Sequence, residues 1–210
     1  MSLGNLEESA REVAAWLSSH SVQYALIGGI AVSFRTIERT TKDIDFAVAV
    51  RTDSDAESVI RGLRGLGYEV HTLLEQSRMG RIATVRLIKK NRGKAFIDLL
   101  FASSGIEREV ATGAEEIEIF PKLRVPVANI SALLALKVLA ADEETRPQDI
   151  LDIKSLLTEA RASDIAETKK LLKLITKRSF NRGENLQSKF TALLKRFRRE
   201  PSRLLVKLRK

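Results

Sequence analysis

Asp43 and Asp45 stand two residues apart in the run Asp43-Ile44-Asp45-Phe46, and a strand puts residues i and i+2 on one face. Their side chains then point the same way, with Cα atoms about 6–7 Å apart. Two like charges so placed repel each other unless a cation lies between them. Magnesium takes hard oxygen ligands of this kind together with substrate phosphates. Just upstream, Gly28-Gly29 follows the apolar run Leu26-Ile27, and a backbone without side chains can approach a phosphate closely. Asp98 is the third carboxylate of interest, alone in Phe96-Ile97-Asp98-Leu99-Leu100. A carboxylate in such an apolar run is costly unless it is paired or binds a metal. Two strands would gather Asp43, Asp45 and Asp98 into a cluster able to hold magnesium. The ion would polarise a phosphoryl oxygen and activate an attacking hydroxyl.

These residues need elements to carry them. Residues 5–19 read as an amphipathic helix capped by Asn5, with Leu6, Ala10, Val13 and Leu17 on one face. Residues 22–27 read as a short buried strand, and the glycine pair opens a short helix over 30–34. A second strand follows over 44–50, then a helix over 55–65 behind the capping cluster Thr52-Asp53-Ser54, then a strand over 68–73. Residues 81–89 alternate, with Ile82, Thr84, Arg86 and Ile88 against Arg81, Ala83, Val85 and Leu87. The Asn91-Arg92-Gly93 turn joins them to 94–101 as a β-hairpin. Short strands are predicted over 116–120 and 123–127. Beyond Pro126 the pattern turns helical: 130–141, then a helix opened by Pro147, then one capped by Ser163 or Asp164 and ending near Lys177. A basic amphipathic helix over 184–199 closes the series. Strands early and helices late predict an α+β fold. A mixed sheet with flanking helices would occupy residues 1–128, and a helical part residues 129–210.

The order of strand, Gly-Gly, short helix, Asp-x-Asp strand and later Asp resembles the nucleotidyltransferase fold of the DNA polymerase β superfamily. Nearer still is the likeness to AbiEii-type nucleotidyltransferases, the toxins of type IV toxin–antitoxin systems. It is carried by Leu26-Ile27-Gly28-Gly29, by Arg39-Thr40-Thr41-Lys42-Asp43-Ile44-Asp45-Phe46, and by Lys137 with Arg146-Pro147-Gln148-Asp149-Ile150-Leu151-Asp152. The resemblance implies a magnesium-dependent enzyme (manganese being the alternative ion). Such an enzyme moves a nucleoside monophosphate from an NTP to a hydroxyl, with the 3′ end of a tRNA-like RNA as acceptor and an antitoxin as protein partner. By the same resemblance Gly28 and Gly29 contact the triphosphate, and Asp43 and Asp45 bind the metal. Asp98 completes the carboxylate cluster and serves as base for the attacking hydroxyl. Lys137 reaches a phosphate, Asp149 positions it, and Arg146 and Asp152 support that region. The chain departs from the pattern at Gly29, where many relatives carry Ser, and at Gln148, where a basic residue is frequent. Without the resemblance, Arg146, Asp149 and Asp152 read equally well as a salt-bridged helix face. Lys137, among leucines, reads as a lysine snorkelling to water.

Charge is unevenly spread. The chain has 210 residues and a net charge of +9, yet residues 169–210 hold 15 Lys/Arg against 2 Asp/Glu and the remainder is mildly acidic. A basic end on an acidic body points to a polyanionic partner such as RNA, the other reading being a solvated cationic helix pair. The charged segment 89–94 reads as a solvated turn or as a contact to an acceptor backbone. With no cysteine, disulfides and thiolate sites are excluded. His20 and His71 are too few for a zinc site, and both, like Trp16, are expected in structural roles. No apolar run nears the ~20 residues of a membrane span and no signal pattern opens the chain, so a cytoplasmic protein is expected. Two competing functions share these features: a nucleic-acid-binding regulator on a degenerate transferase scaffold, and a transferase acting on a protein or small-molecule hydroxyl.

Overall fold

The structure, a computed structural model, describes residues 3–37, 41, 43–76, 80–89 and 95–198. Seven strands among them form one mixed sheet. They are β1 (Tyr24–Ile27), β2 (Asp43–Val48), β3 (Tyr68–Gln76), β4 (Arg81–Lys89), β5 (Phe96–Leu100), β6 (Glu115–Phe120) and β7 (Leu123–Val127). Their order across the sheet is β3-β4-β5-β2-β1-β7-β6. β2 sits at the middle, antiparallel to β1 and parallel to β5, and β4 with β5 makes the expected hairpin. The helices are α1 (Leu3–Ser19), α2 (Gly28–Arg35), α3 (Asp53–Gly65), α4 (Glu107–Thr112), α5 (Ile130–Ala140), α6 (Pro147–Glu159), α7 (Ala162–Lys177) and α8 (Leu186–Arg198).

Alternation in the three central strands decides where the chemistry can sit. Ile44, Phe46 and Val48 of β2, Ile97 and Leu99 of β5, and Val85 and Leu87 of β4 are all fully buried on one face. Each such side chain stabilises the fold by about 1.5–3 kcal/mol. The opposite face then receives Asp43 and Asp45, Asp98, and Thr84 with Arg86. A one-residue slip would drive those carboxylates into the core, so the apolar residues fix the register that presents the polar ones. One buried cluster runs from Leu6 of α1 to Leu193 of α8 and ties the helices to the sheet. In it α5 is apolar nearly all round, because α2, α6, α7 and α8 pack about it.

The structure differs from the sequence expectation in a few local places. α1 begins at Leu3, so Asn5 lies inside the helix and does not cap it. α7 begins at Ala162, and Asp164 is its third residue; its carboxylate accepts the Arg161 N–H at 2.8 Å. α4 was not expected, since only Ile106 and Val110 of that stretch show an apolar period, and both are buried. Its start is held by Glu107, which accepts the N–H groups of Ser103 and Ser104 at 2.9 and 2.7 Å. The 90–94 turn, Arg39, Thr40 and Lys42 of the second motif, and the basic residues beyond 198 lie outside the described residues.

Candidate active site

Pairing across the sheet sets three side chains in a line. Arg86 on β4 faces Asp98 on β5, Asp98 faces Asp45 on β2, and Asp45 faces Ile27 at the end of β1. Neighbouring strands are about 4.8 Å apart, so three titratable groups stand within one narrow row, with Asp43 two residues along from Asp45. Arg86 supplies the positive charge. Its Nε donates to Asp98 Oδ1 at 2.7 Å and its terminal nitrogen to Asp98 Oδ2 at 2.6 Å. That nitrogen also reaches Asp43 Oδ2 at 3.4 Å. A guanidinium fork matches a carboxylate in this two-point way. Asp98 is 8% exposed, and the fork is what makes its burial tolerable.

Asp45 carries the strain of the row. Burial, then the charge of Asp98 and that of Asp43, push its carboxyl up to about 7, against the opposing pull of Lys137 and Arg86. Directly behind it lies Gly28, the first residue of α2, with φ +67. A Cβ on Gly28 would sit 1.9 Å from Asp45 Oδ2. Glycine is thus required here twice, by the backbone conformation and by the carboxylate. Gly28→Ala is expected to lower the melting temperature by several degrees and any metal- or phosphate-dependent activity by about 100-fold or more, through strain and displacement of Asp45. Calorimetry and a turnover assay on the same preparation check this. Ile27, which precedes the helix, offers no side-chain cap. The first N–H groups of α2 are therefore left to solvent or to an anion.

The facing wall is helical. Lys137 of α5 is only 12% exposed; its Nζ donates to Asp149 Oδ1 at 2.6 Å and pairs with Asp152 Oδ2 at 2.7 Å. Asp149 and Asp152 of α6 are 4% and 2% exposed. Gln148 donates to Asp152 Oδ1 at 3.0 Å. Arg146 Nε lies 2.8 Å from Asp149 Oδ2 as a charge contact, its angle outside that of a hydrogen bond. The snorkelling lysine is set aside by these distances; the salt bridge between Arg146 and Asp149 is present, but on buried carboxylates that also hold Lys137. A lysine held by two buried carboxylates is a built feature. An ammonium has three donors, and two are used here.

Both walls open onto one cavity of about 710 Å³. Gly28, Gly29, Asp43, Asp45, Asp98, Lys137, Arg146 and Asp149, expected from the sequence, all line it. Asp152 stands behind Lys137. Two charged lining residues were not singled out from the sequence: Arg86 and Arg182. The first had a legible signal. It shares the Thr84 face of an alternating strand in a hairpin with Asp98. The second, in the loop before α8, had none. His20 stacks on Trp16 at 4.0 Å and His71 on Phe96 at 5.3 Å, and none of His20, His71 and Trp16 reaches the cavity. Trp16 instead packs against Gly62, where a Cβ would meet its ring at 1.9 Å.

The family model for the nucleotidyl transferase AbiEii toxin of type IV toxin–antitoxin systems matches residues 13–207. This chain belongs to the AbiEii family. It is accordingly a nucleotidyltransferase of the toxin–antitoxin class. Its fold is shared with solved structures of low identity. An antigenic nucleotidyltransferase-like protein from Paracoccidioides brasiliensis is similar at 17% identity and TM-score 0.52, over 91% of this chain and 94% of that one. The antibiotic-resistance factor ANT(2'')-Ia is similar in solution at 16% identity and TM-score 0.56, over 85% and 95%. Its crystal structure with adenylyl-2''-tobramycin is similar at 15% and TM-score 0.53, over 84% and 99%. Among curated proteins no match is found.

AbiEii-type nucleotidyltransferases typically use a divalent metal, and the donor chemistry of this site fits one. Among the described residues no group of three or more His, Cys, Asp or Glu has the spacing of a metal cage. Asp98, expected as a third ligand, is held by Arg86 on both oxygens. Magnesium needs no such cage. It is commonly held by one or two carboxylates, with substrate phosphates and water completing its shell. Asp43 and Asp45 supply two carboxylates, and burial, then the charges of Asp98 and Asp43, raise the Asp45 carboxyl in a way a bound cation would offset. No helix among the described residues of this AbiEii-family protein is long and apolar enough to cross a membrane.

Proposed function

We propose that the protein transfers a nucleoside monophosphate from an NTP to a hydroxyl of an RNA acceptor, such as a tRNA 3′ end. What supports this most is the carboxylate row beside Gly28 facing Lys137 across one cavity. Asp43 and Asp45 would hold Mg2+ or Mn2+, which when bound neutralises phosphate charge and polarises the reacting phosphoryl group. The N–H groups of Gly28 and Gly29 receive triphosphate oxygens at the start of α2, and the remaining Lys137 donor takes another. The acceptor hydroxyl oxygen forms a bond to the α-phosphorus as the bond to the bridging oxygen breaks. Pyrophosphate leaves. The hydroxyl proton passes to Asp98, whose oxygens each keep a lone pair beyond the one Arg86 engages. Arg86 thus orients the base, and Asp149, Asp152 and Arg146 orient Lys137. Most of the rate then comes from positioning and charge placement.

In this reading residues 1–128 form the nucleotidyltransferase core and residues 129–210 a helical domain for the acceptor. Lys169, Lys173 and Lys177 are exposed at four-residue spacing along α7, with Lys195 exposed on α8, a basic stripe suited to a phosphate backbone. The protein would work in the cytoplasm beside an antitoxin that restrains it. Calorimetric titration with each Mg–NTP, followed by RNA binding from low to high salt, tests the proposal. Micromolar binding of at least one NTP and RNA affinity that falls steeply with salt are expected. Silence for all four nucleotides would favour a nucleic-acid-binding protein without catalysis. RNA binding indifferent to salt, with nucleotide binding intact, would favour a small hydroxyl-bearing acceptor.

A further inference from the structure

We infer that Arg182 receives a phosphate group of the substrate held in the cavity, opposite the carboxylate row. This rests on the reading of the cavity as a nucleotidyltransferase site. Among the described residues four cations line the cavity, and three are already engaged: Arg86 by Asp98, Lys137 by Asp149 and Asp152, Arg146 by Asp149. No hydrogen bond or ion pair joins Arg182 to any described residue. The loop that carries Arg182 is itself anchored. The loop between α7 and α8 is fastened on its first half. Arg178 forks onto Glu109 at 2.9 and 2.7 Å and donates to the Gly105 carbonyl. Phe180 is buried against Gly105, where a Cβ would stand 2.4 Å from its ring. Gly105 and Glu109 lie just past β5, the strand that carries Asp98. The helical end of the chain is thereby latched to the catalytic edge of the sheet, and Arg182 follows two residues after the latch.

Arg182 holds φ +53 and is flanked by Ser179 at +66 and Gly183 at +79. A non-glycine residue in the left-handed region costs stability and persists where the surroundings impose it. Glycine would be more stable at that backbone position. Arg182 is an exposed residue that lines the cavity, so its guanidinium is open to a ligand that enters there. Loss of hydration, then the neighbouring charge of Arg146, weigh against the charged form of Arg182, with Glu184 pulling the other way. The negative charge of an arriving phosphate offsets both, and a guanidinium fork suits its oxygens. The phosphate belongs either to the NTP or to the backbone of the acceptor, and the two are separable by experiment.

Arg182→Gly removes the guanidinium while easing the backbone, so the variant is expected to fold with an equal or higher melting temperature. Its affinity for Mg–NTP, measured by calorimetry with ATP, CTP, GTP and UTP in turn, is expected to be about 10- to 100-fold weaker, with partial recovery in Arg182→Lys. A loss confined to the KM for RNA at saturating NTP would place the phosphate on the acceptor and equally sustain the assignment. Both constants within about twofold of the parent, with a raised melting temperature, would overturn it. A parent protein that binds no NTP would sink the nucleotidyltransferase reading and this assignment together, an outcome distinct from failure of Arg182 alone.

Discussion

Asp45→Asn is expected to lower nucleotidyl transfer by about 10³-fold or more while making the metal-free protein more stable at neutral pH. The two effects share one cause. Asp45 is withdrawn from water and stands beside Asp98, with Asp43 two residues along the same strand, so ionising it is unfavourable until a cation arrives. Its carboxyl titrates near the ordinary 3.8 in the unfolded chain and at about 7 in the folded one. From about pH 4 to 7 the unfolded chain has lost a proton that the folded protein still holds. Stability therefore falls as pH rises through that window and is lowest above it. The asparagine variant lacks this penalty, whose ceiling is about 4 kcal/mol from the size of the shift. Melting curves without metal should show parent and variant close together at pH 4.5 and separating up to pH 8. Titrations remote from the row are common to both proteins and cancel. A gap that narrows with rising pH would contradict this electrostatic account of the row. So would full activity in the variant.

Lys137→Met should produce the largest loss of stability of any single change at the site. Asp149 and Asp152 are almost wholly buried and lean on the same ammonium. Removing one partner of a buried ion pair leaves the other charge uncompensated, typically a cost of about 3–5 kcal/mol, or roughly 10 °C in melting temperature for a chain of this length. Transfer activity should also vanish, but a destabilised enzyme loses activity for many reasons. The triple change Lys137→Met, Asp149→Asn, Asp152→Asn separates the two roles. It takes away the stranded charges, and most of the stability should return. Activity should stay absent, because the phosphate has lost the Lys137 ammonium. Recovery of both would reduce Lys137 to a structural pin. Recovery of neither would mean that the charges, and not only the packing, hold α5 against α6.

Much of this site could be read in advance because its logic is local. Asp43 and Asp45 share a face for the same reason that Ile44 and Phe46 share the other. Pro147 marks the start of α6 and Asn129 caps α5, where it accepts the Ala132 N–H at 2.9 Å. The Asp98 carboxylate stood out because an apolar strand does not tolerate it unaided. What escaped the sequence was the identity of its partner. That depends on strand order, and only the β4–β5–β2 neighbourhood shows that Arg86 meets Asp98 from one side and Asp45 meets it from the other. Arg182 was further out of reach. Its place follows from Phe180 seating on Gly105 and from Arg178 finding Glu109, contacts between segments about seventy residues apart. Helix ends were missed for a smaller reason. Asp164 and Asn5 can each cap a helix, but Asp164 also serves as a third residue bonding back to the Arg161 N–H, and α1 simply starts earlier.

The most direct test of the central claim is transfer itself. The full-length protein is incubated with Mg2+, total RNA and each NTP labelled at its α-phosphate, and the RNA is resolved by size. The account predicts label on a discrete RNA species from at least one NTP. That label should be lost in an Asp43→Ala, Asp45→Ala variant that still folds. Equal labelling by that double variant, or no label on any RNA from any of the four nucleotides while the parent protein is folded, would contradict it.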